Sequence, residues 1–130
     1  MAVTFTPTLT LASTTTGTDA LSFSVTKDIT LGDNDVRLTR TFSPGDYGGS
    51  NGVKIFSTNL GKSYIYVKNV HSTTTIHLGA ANNSNTNNAT WMELAPGEFA
   101  FFSWAGYADI FALVASGTAT AGLEVTIFEA

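Results

Sequence analysis

The chain has no cysteine, which excludes disulfide frameworks, thiolate zinc sites and thiol nucleophiles together. Positive charge is scarce: six Lys and Arg stand against ten Asp and Glu, a formal charge of -4. No basic run is available to neutralise a row of phosphates, so nucleic acid is not an expected partner. No apolar run approaches the roughly 20 residues of a membrane span, and residues 1–8 alternate apolar with polar where a secretory signal has an unbroken apolar stretch. The expectation is a soluble protein with no membrane partner and no secretory signal. Charged residues make up only 12% of the chain, and Lys and Glu, the usual cover of exposed helices, total eight.

What is abundant points to strands. Thr occurs 21 times, Gly 12 and Phe 9, a composition that suits a pleated, half-buried surface. At 130 residues about two-thirds of the extended chain's surface can be buried, and one domain over residues 1–130 is expected. Val3, Phe5, Leu9 and Leu11 alternate with Thr, Pro7 falling on the apolar side as in an edge strand or a bend. Residues 1–11 therefore read as an edge strand or a contact arm. Leu21, Phe23 and Val25 begin a second run, bulged near Lys27-Asp28, that ends at the turn Gly32-Asp33-Asn34-Asp35. The strand from Val36 to Phe42 is expected to return from that turn as a hairpin, although Arg40 falls on its apolar side. Residues 43–52 form a Gly-rich loop, and further strands follow at Val53–Ser57, Tyr64–Val70, Thr74–Leu78, Trp91–Leu94, Glu98–Trp104, Ala108–Ser116 and Ala119–Phe128. Eight to ten short strands predict an all-β antiparallel β-sandwich, jelly-roll-like by strand number.

Chemistry-bearing residues are sparse, and each has a plain structural role to fall back on. Asp28, Asp33, Asn34 and Asp35 carry oxygen ligands that suit calcium, but they also suit an Asx-rich turn and their spacing is not that of an EF-hand. No metal and no cofactor is predicted. His71 and His77 flank a turn and face each other if the strands on either side pair; no further soft ligand completes a zinc site, and solvent-facing histidines are expected. Asp109, Glu93, Glu98 and Glu124 are the carboxylates available for acid and base roles, and no nucleophile motif accompanies them, so no enzyme is expected. Residues 45–52 lack the Lys-Ser/Thr ending of a phosphate loop. The Asn-rich segment with Asn82, Asn83, Asn85, Asn87 and Asn88, followed by Trp91, offers amides and a ring to a sugar, the alternative ligand surface. Its two glycosylation sequons read as accidents of composition without a secretory signal.

Apolar residues on both faces of neighbouring strands are the most informative feature. Phe99 and Phe101 oppose Ala100, Phe102 and Trp104; Ile110, Ala112 and Val114 oppose Phe111, Leu113 and Ala115. A sandwich core covers one face of each sheet, so the other needs a loop, a terminus or another subunit. Val3, Phe5, Phe99, Phe101, Phe102 and Trp104 are the candidate interface residues, with Phe102 and Trp104 placed on the outward face.

The C-terminal half carries Tyr64-Ile65-Tyr66-Val67-Lys68-Asn69, Ile76-His77-Leu78-Gly79, Leu94-Ala95-Pro96-Gly97-Glu98-Phe99-Ala100, Ala115-Ser116-Gly117-Thr118-Ala119 and Leu123-Glu124-Val125. Over residues 64–128 this series resembles small β-sandwich virion proteins of tailed bacteriophages. The resemblance implies a non-enzymatic capsid decoration or cement protein, or a head or tail appendage. It also implies a homo-oligomer, a trimer by preference, and a partner in the major capsid protein or another virion protein. The capsid surface is then its location after synthesis in the host cytoplasm. The alternative is a carbohydrate- or receptor-binding module of a virion appendage, and a small hydrolase is a third reading.

Overall fold

A computed structural model describes residues 3–13, 22–31, 38–41, 53–81, 89–114 and 122–130. The fold is all-β, and among the described residues every ladder is antiparallel. In chain order the strands are β1 (Val3–Phe5), β2 (Thr8–Ala12), β3 (Ser22–Thr26), β4 (Ile29–Leu31), β5 (Leu38–Thr41), β6 (Val53–Phe56), β7 (Ser63–Asn69), β8 (Ile76–Ala81), β9 (Ala89–Leu94), β10 (Phe99–Trp104), β11 (Asp109–Val114) and β12 (Leu123–Glu129). One turn of 3-10 helix, Thr58–Leu60, is the only helical element among the described residues. The chain forms two compact units, Met1–Asp35 with Ala130, and Val36–Glu129.

The first unit is a two-stranded ribbon. β1 pairs with β4 from Val3↔Leu31 to Phe5↔Ile29, and β2 pairs with β3 from Thr8↔Thr26 to Ala12↔Ser22. One register runs through both ladders, interrupted by two residues on each side, Thr6-Pro7 and Lys27-Asp28. Pro7 causes the break, because it has no N–H to give back to the opposite strand. Lys27 N–H still donates to Pro7 C=O at 3.3 Å, and Thr6 Oγ1 donates to Asp28 Oδ1 at 2.9 Å. At Pro7 the ladder is interrupted, whereas the bulge expected at Lys27-Asp28 is not formed, since equal numbers of residues face each other across the gap.

The second unit is a sandwich of two four-stranded sheets, ordered β10-β7-β12-β5 and β6-β11-β8-β9. The pairs β8–β9, β7–β10, β6–β11 and β5–β12 nest inside one another like one long hairpin folded over on itself, and β7–β12 and β8–β11 join its two halves. Alternation fills the core: Ile65 and Val67 of β7 and Leu123, Val125 and Ile127 of β12 meet Ile76 and Leu78 of β8 and Ile110 and Ala112 of β11. Two bulges modify that alternation. Ile110 pairs with Phe56 and the next residue, Phe111, with Lys54, so Ile55 is the extra residue on β6, and both Ile55 and Phe56 are buried.

Two local pairings expected from the sequence are not formed. β5 pairs with β12, not with the strand before it, and β7 and β8 lie in opposite sheets. For β7 and β8 the reason is packing. A hairpin between β7 and β8 would put their apolar stripes side by side in one layer, whereas crossing between sheets lets Ile65 and Val67 face Ile76 and Leu78 across the core. Arg40, on the apolar side of its strand by sequence, is paired through the backbone with Val125.

Candidate functional site

Strand β10 has its faces assigned by β7. Ala100, Phe102 and Trp104 are the partners of Val67, Ile65 and Ser63, all buried, and direct cross-strand neighbours share a face. Phe102 and Trp104, expected on the outward face, therefore pack against the core. Phe99 and Phe101 point outward instead, 63% and 39% exposed. There the rings of Phe101 and Tyr64 stack with centroids 6.2 Å apart, and those of Phe99 and Tyr66 lie 6.3 Å apart. The result is an aromatic surface on the outer side of β10 and β7, with Lys68 beside Phe99 and opposite Glu124.

The inward aromatic residues close the sandwich where edge strands β9 and β10 leave it open. Leu78 pairs with Met92 and Gly79 with Thr90, so Trp91 is the extra residue of a bulge. A bulge re-aims a side chain. The Trp91 ring stacks on Trp104 at 5.6 Å and meets Phe102 edge-on at 5.4 Å, while Trp104 Nε1 donates to Ala108 C=O at 3.0 Å. Trp91 stays 40% exposed, but Trp104 occupies one of the faces a sugar would use. The Asn-rich segment, Asn82, Asn83, Asn85, Asn87 and Asn88, lies outside the described residues.

On the ribbon the apolar side chains also face water. Leu9 pairs with Val25 and Leu11 with Phe23, and all four are 45–49% exposed. Phe5, of the candidate contact arm, is half-buried beside the buried Ile29 and Leu31; for Val3 only the backbone pairing with Leu31 is described.

The outward side of β11 is different. Phe111 is 6% exposed, and Lys54 Nζ lies 5.8 Å from its ring centroid. Lys54 also pairs with Asp109, whose other carboxylate oxygen accepts the Thr58 N–H at 2.8 Å. The Lys54 hydrogen bond, helped by that of Thr58, holds the Asp109 carboxyl below its ordinary value of 3.8 despite its partial burial.

The other candidate carboxylates are engaged separately. Glu98 Oε2 accepts the Ala95 N–H at 2.8 Å, Glu93 is the cross-strand neighbour of His77, and Glu124 that of Lys68. His71 and His77 are not across a hairpin from each other. His71 Nδ1 accepts the N–H groups of Thr73 and Thr74 at 3.1 and 2.9 Å, and both imidazoles are half-buried where solvent-facing ones were expected. Asp28 is bound to Thr6, while Asp33, Asn34 and Asp35 lie outside the described residues, as do residues 43–52. Among the described residues no three His, Asp or Glu side chains gather as a metal site would need, and no helix is long and apolar enough to cross a membrane.

Asn69 is the organising residue that sequence reasoning missed. It is fully buried, and its Nδ2 donates to Thr74 C=O at 2.8 Å and Leu94 C=O at 2.9 Å. Its Oδ1 accepts the His71 N–H at 3.0 Å, and its backbone is bonded to Gly97 and Glu98. The available signal was an Asn on the apolar stripe of β7, in register with Ile65 and Val67. Comparison with known proteins returns no matching family model, no matching curated protein and no matching solved structure.

Proposed function

We propose that the protein is a non-enzymatic structural component of a phage particle, a decoration or cement protein that works as a homo-oligomer on the capsid shell. The observation carrying this reading is the pair of exposed apolar surfaces on regular strands: Leu9, Leu11, Phe23 and Val25 on the ribbon, and Phe99 and Phe101 on the sandwich. Exposed apolar surface of this kind marks association in a soluble protein. The strand order supports reading the sandwich as a jelly roll, since eight consecutive strands wind as a nested hairpin, an architecture that recurs in viral capsid and lectin domains. Fold alone assigns no activity; the surfaces favour assembly over recognition of a small ligand.

The experiment is to heat and sediment shells with and without the protein. Cement co-sediments with shells and raises the temperature at which they open; free protein left in the supernatant at every ratio would overturn the reading. The partly exposed Trp91 beside the Asn-rich segment favours a second reading, a glycan-binding appendage module. Glycan binding by the isolated protein, lost in Trp91→Ala, would replace the first reading with the second.

A further inference from the structure

Residues 70–75 carry the chain from β7 in one sheet to β8 in the other, and the side chains of Asn69 and His71 shape them. His71 N–H donates to Asn69 Oδ1 at 3.0 Å, and Asn69 Nδ2 donates to Thr74 C=O at 2.8 Å. His71 Nδ1 accepts the N–H groups of Thr73 at 3.1 Å and Thr74 at 2.9 Å. The crossover is gathered around one amide and one ring nitrogen. The amide does not titrate, whereas an imidazole changes its proton count between about pH 5 and 8.

A ring nitrogen accepts a hydrogen bond only through a free lone pair. With two backbone N–H groups aimed at Nδ1, the ring held in this crossover is the neutral tautomer whose proton sits on Nε2. A proton on Nδ1 removes the lone pair and sets a further N–H donor against the first two. Turning the ring over brings Cδ2–H to the same place, which accepts nothing. The ring and the two amides therefore have to separate.

Neighbouring charges do not hold the protonated ring in place. Among the described residues His71 takes part in no ion pair. Lys68 of β7 and Glu124 of β12 are cross-strand neighbours of each other, on the face opposite the buried Asn69. Glu93 of β9 is the cross-strand neighbour of His77, and Glu98, in the turn before β10, accepts the Ala95 N–H through Oε2. Gly122, just before β12, meets the crossover through its C=O, which accepts the Val70 N–H at 2.9 Å.

We infer that the β7–β8 crossover is an acid-sensitive latch, closed on the neutral His71 ring and opened when a proton binds Nδ1. Opening frees Thr73 and Thr74, and with Thr74 one of the two carbonyls held by Asn69 Nδ2, the other being Leu94 C=O. The open form binds more protons than the closed one, so closure weakens as pH falls. Proton uptake by an opened imidazole, half complete near pH 6.5 when unconstrained, multiplies the open population by up to about tenfold between about pH 7.5 and about pH 5.5. The latch is a property of the sandwich and stands apart from the function proposed above.

Nitrogen-15 NMR of the intact chain tests it directly. At about pH 7.5 the His71 ring is expected with its proton on Nε2 and none on Nδ1, and the Thr73 and Thr74 amide signals are expected to move together with the ring as acid is added. His71→Asn keeps an acceptor oxygen for the same N–H groups and does not titrate. In urea, the wild-type unfolding constant is expected to rise over the same pH range by up to about tenfold more than that of His71→Asn, while His77→Gln, lacking the other histidine, keeps the wild-type dependence. A proton on Nδ1 at about pH 7.5, Thr73 and Thr74 signals that stay in place while the His71 ring titrates, or equal acid dependence in wild type and His71→Asn would each overturn the latch. The NMR readings need no variant, so they decide the matter even if His71→Asn does not fold.

Discussion

At the residue scale, Asn69 holds three segments together with one side chain. Its amide satisfies Thr74 C=O, Leu94 C=O and His71 N–H inside the protein, where unpaired polar groups are expensive. Asn69→Leu is expected to cost about 2–4 kcal/mol in urea unfolding. Asn69→Asp should be no milder despite its identical shape, since it turns a donor into an acceptor facing two carbonyls. Gly97 stands at φ +83 between Pro96 and Glu98, with Glu98 N–H closing the turn onto Ala95 C=O at 3.0 Å. A Cβ there meets nothing within 4 Å, so the cost of Gly97→Val comes from the backbone conformation alone, about 1 kcal/mol or more in a thermal melt.

Asp109 gives a pH dependence with a definite sign. Its carboxyl is held below 3.8 in the folded chain by Lys54 and Thr58, so its contribution to stability is fully present above that value. The contribution fades as pH falls through the lowered value. Asp109→Asn should remove that acid-side loss while keeping an acceptor for the Thr58 N–H, and Asp109→Ala should destabilise further at neutral pH; unfolding curves taken across the acid range read both.

At the element scale, the β9 bulge is what turns Trp91 toward the edge of the core. Without the extra residue, strict alternation would put Trp91 on the face opposite Met92, away from Phe102 and Trp104. Trp91→Ala should therefore lower stability by about 1–3 kcal/mol through lost ring packing. Measured without any ligand, an unchanged melting temperature would show that the ring is idle in the fold. Phe111 and Phe99 illustrate how differently one apolar pattern is resolved on two strands: the first is buried with the Lys54 ammonium 5.8 Å from its ring centroid, while the second faces water.

At the scale of the whole molecule, the Val36–Glu129 unit has its own two-sheet core, whereas the β2–β3 part of the ribbon exposes Leu9, Leu11, Phe23 and Val25. Two strands alone are marginal in water. A chain begun at Val36 should keep a strand-type circular dichroism spectrum and a cooperative melt. Removing only residues 1–11 should be worse behaved than removing 1–35, because it takes β1 and most of β2 from their partners β4 and β3 and leaves those as open edges. Aggregation of the shorter deletion with solubility of the longer one is the expected outcome; the reverse order would contradict the two-unit division.

Period-two runs of Thr, Val, Ile and Phe were enough to specify an all-β protein, because alternation is a property of each strand alone. The Pro96-Gly97 turn and the break at Pro7 were legible for the same reason: each follows from the covalent limits of one or two residues. Partner choice was not local. β5 closes on β12 and β7 on β10 and β12 across long stretches of chain, and nothing in a strand's own residues ranks a distant partner above a near one. The outward face of β10 was undecided for that reason too, since Phe99, Phe101, Phe102 and Trp104 are apolar on both sides. Only pairing with the buried residues of β7, a tertiary contact, turns Phe102 and Trp104 inward and leaves Phe99 and Phe101 in water.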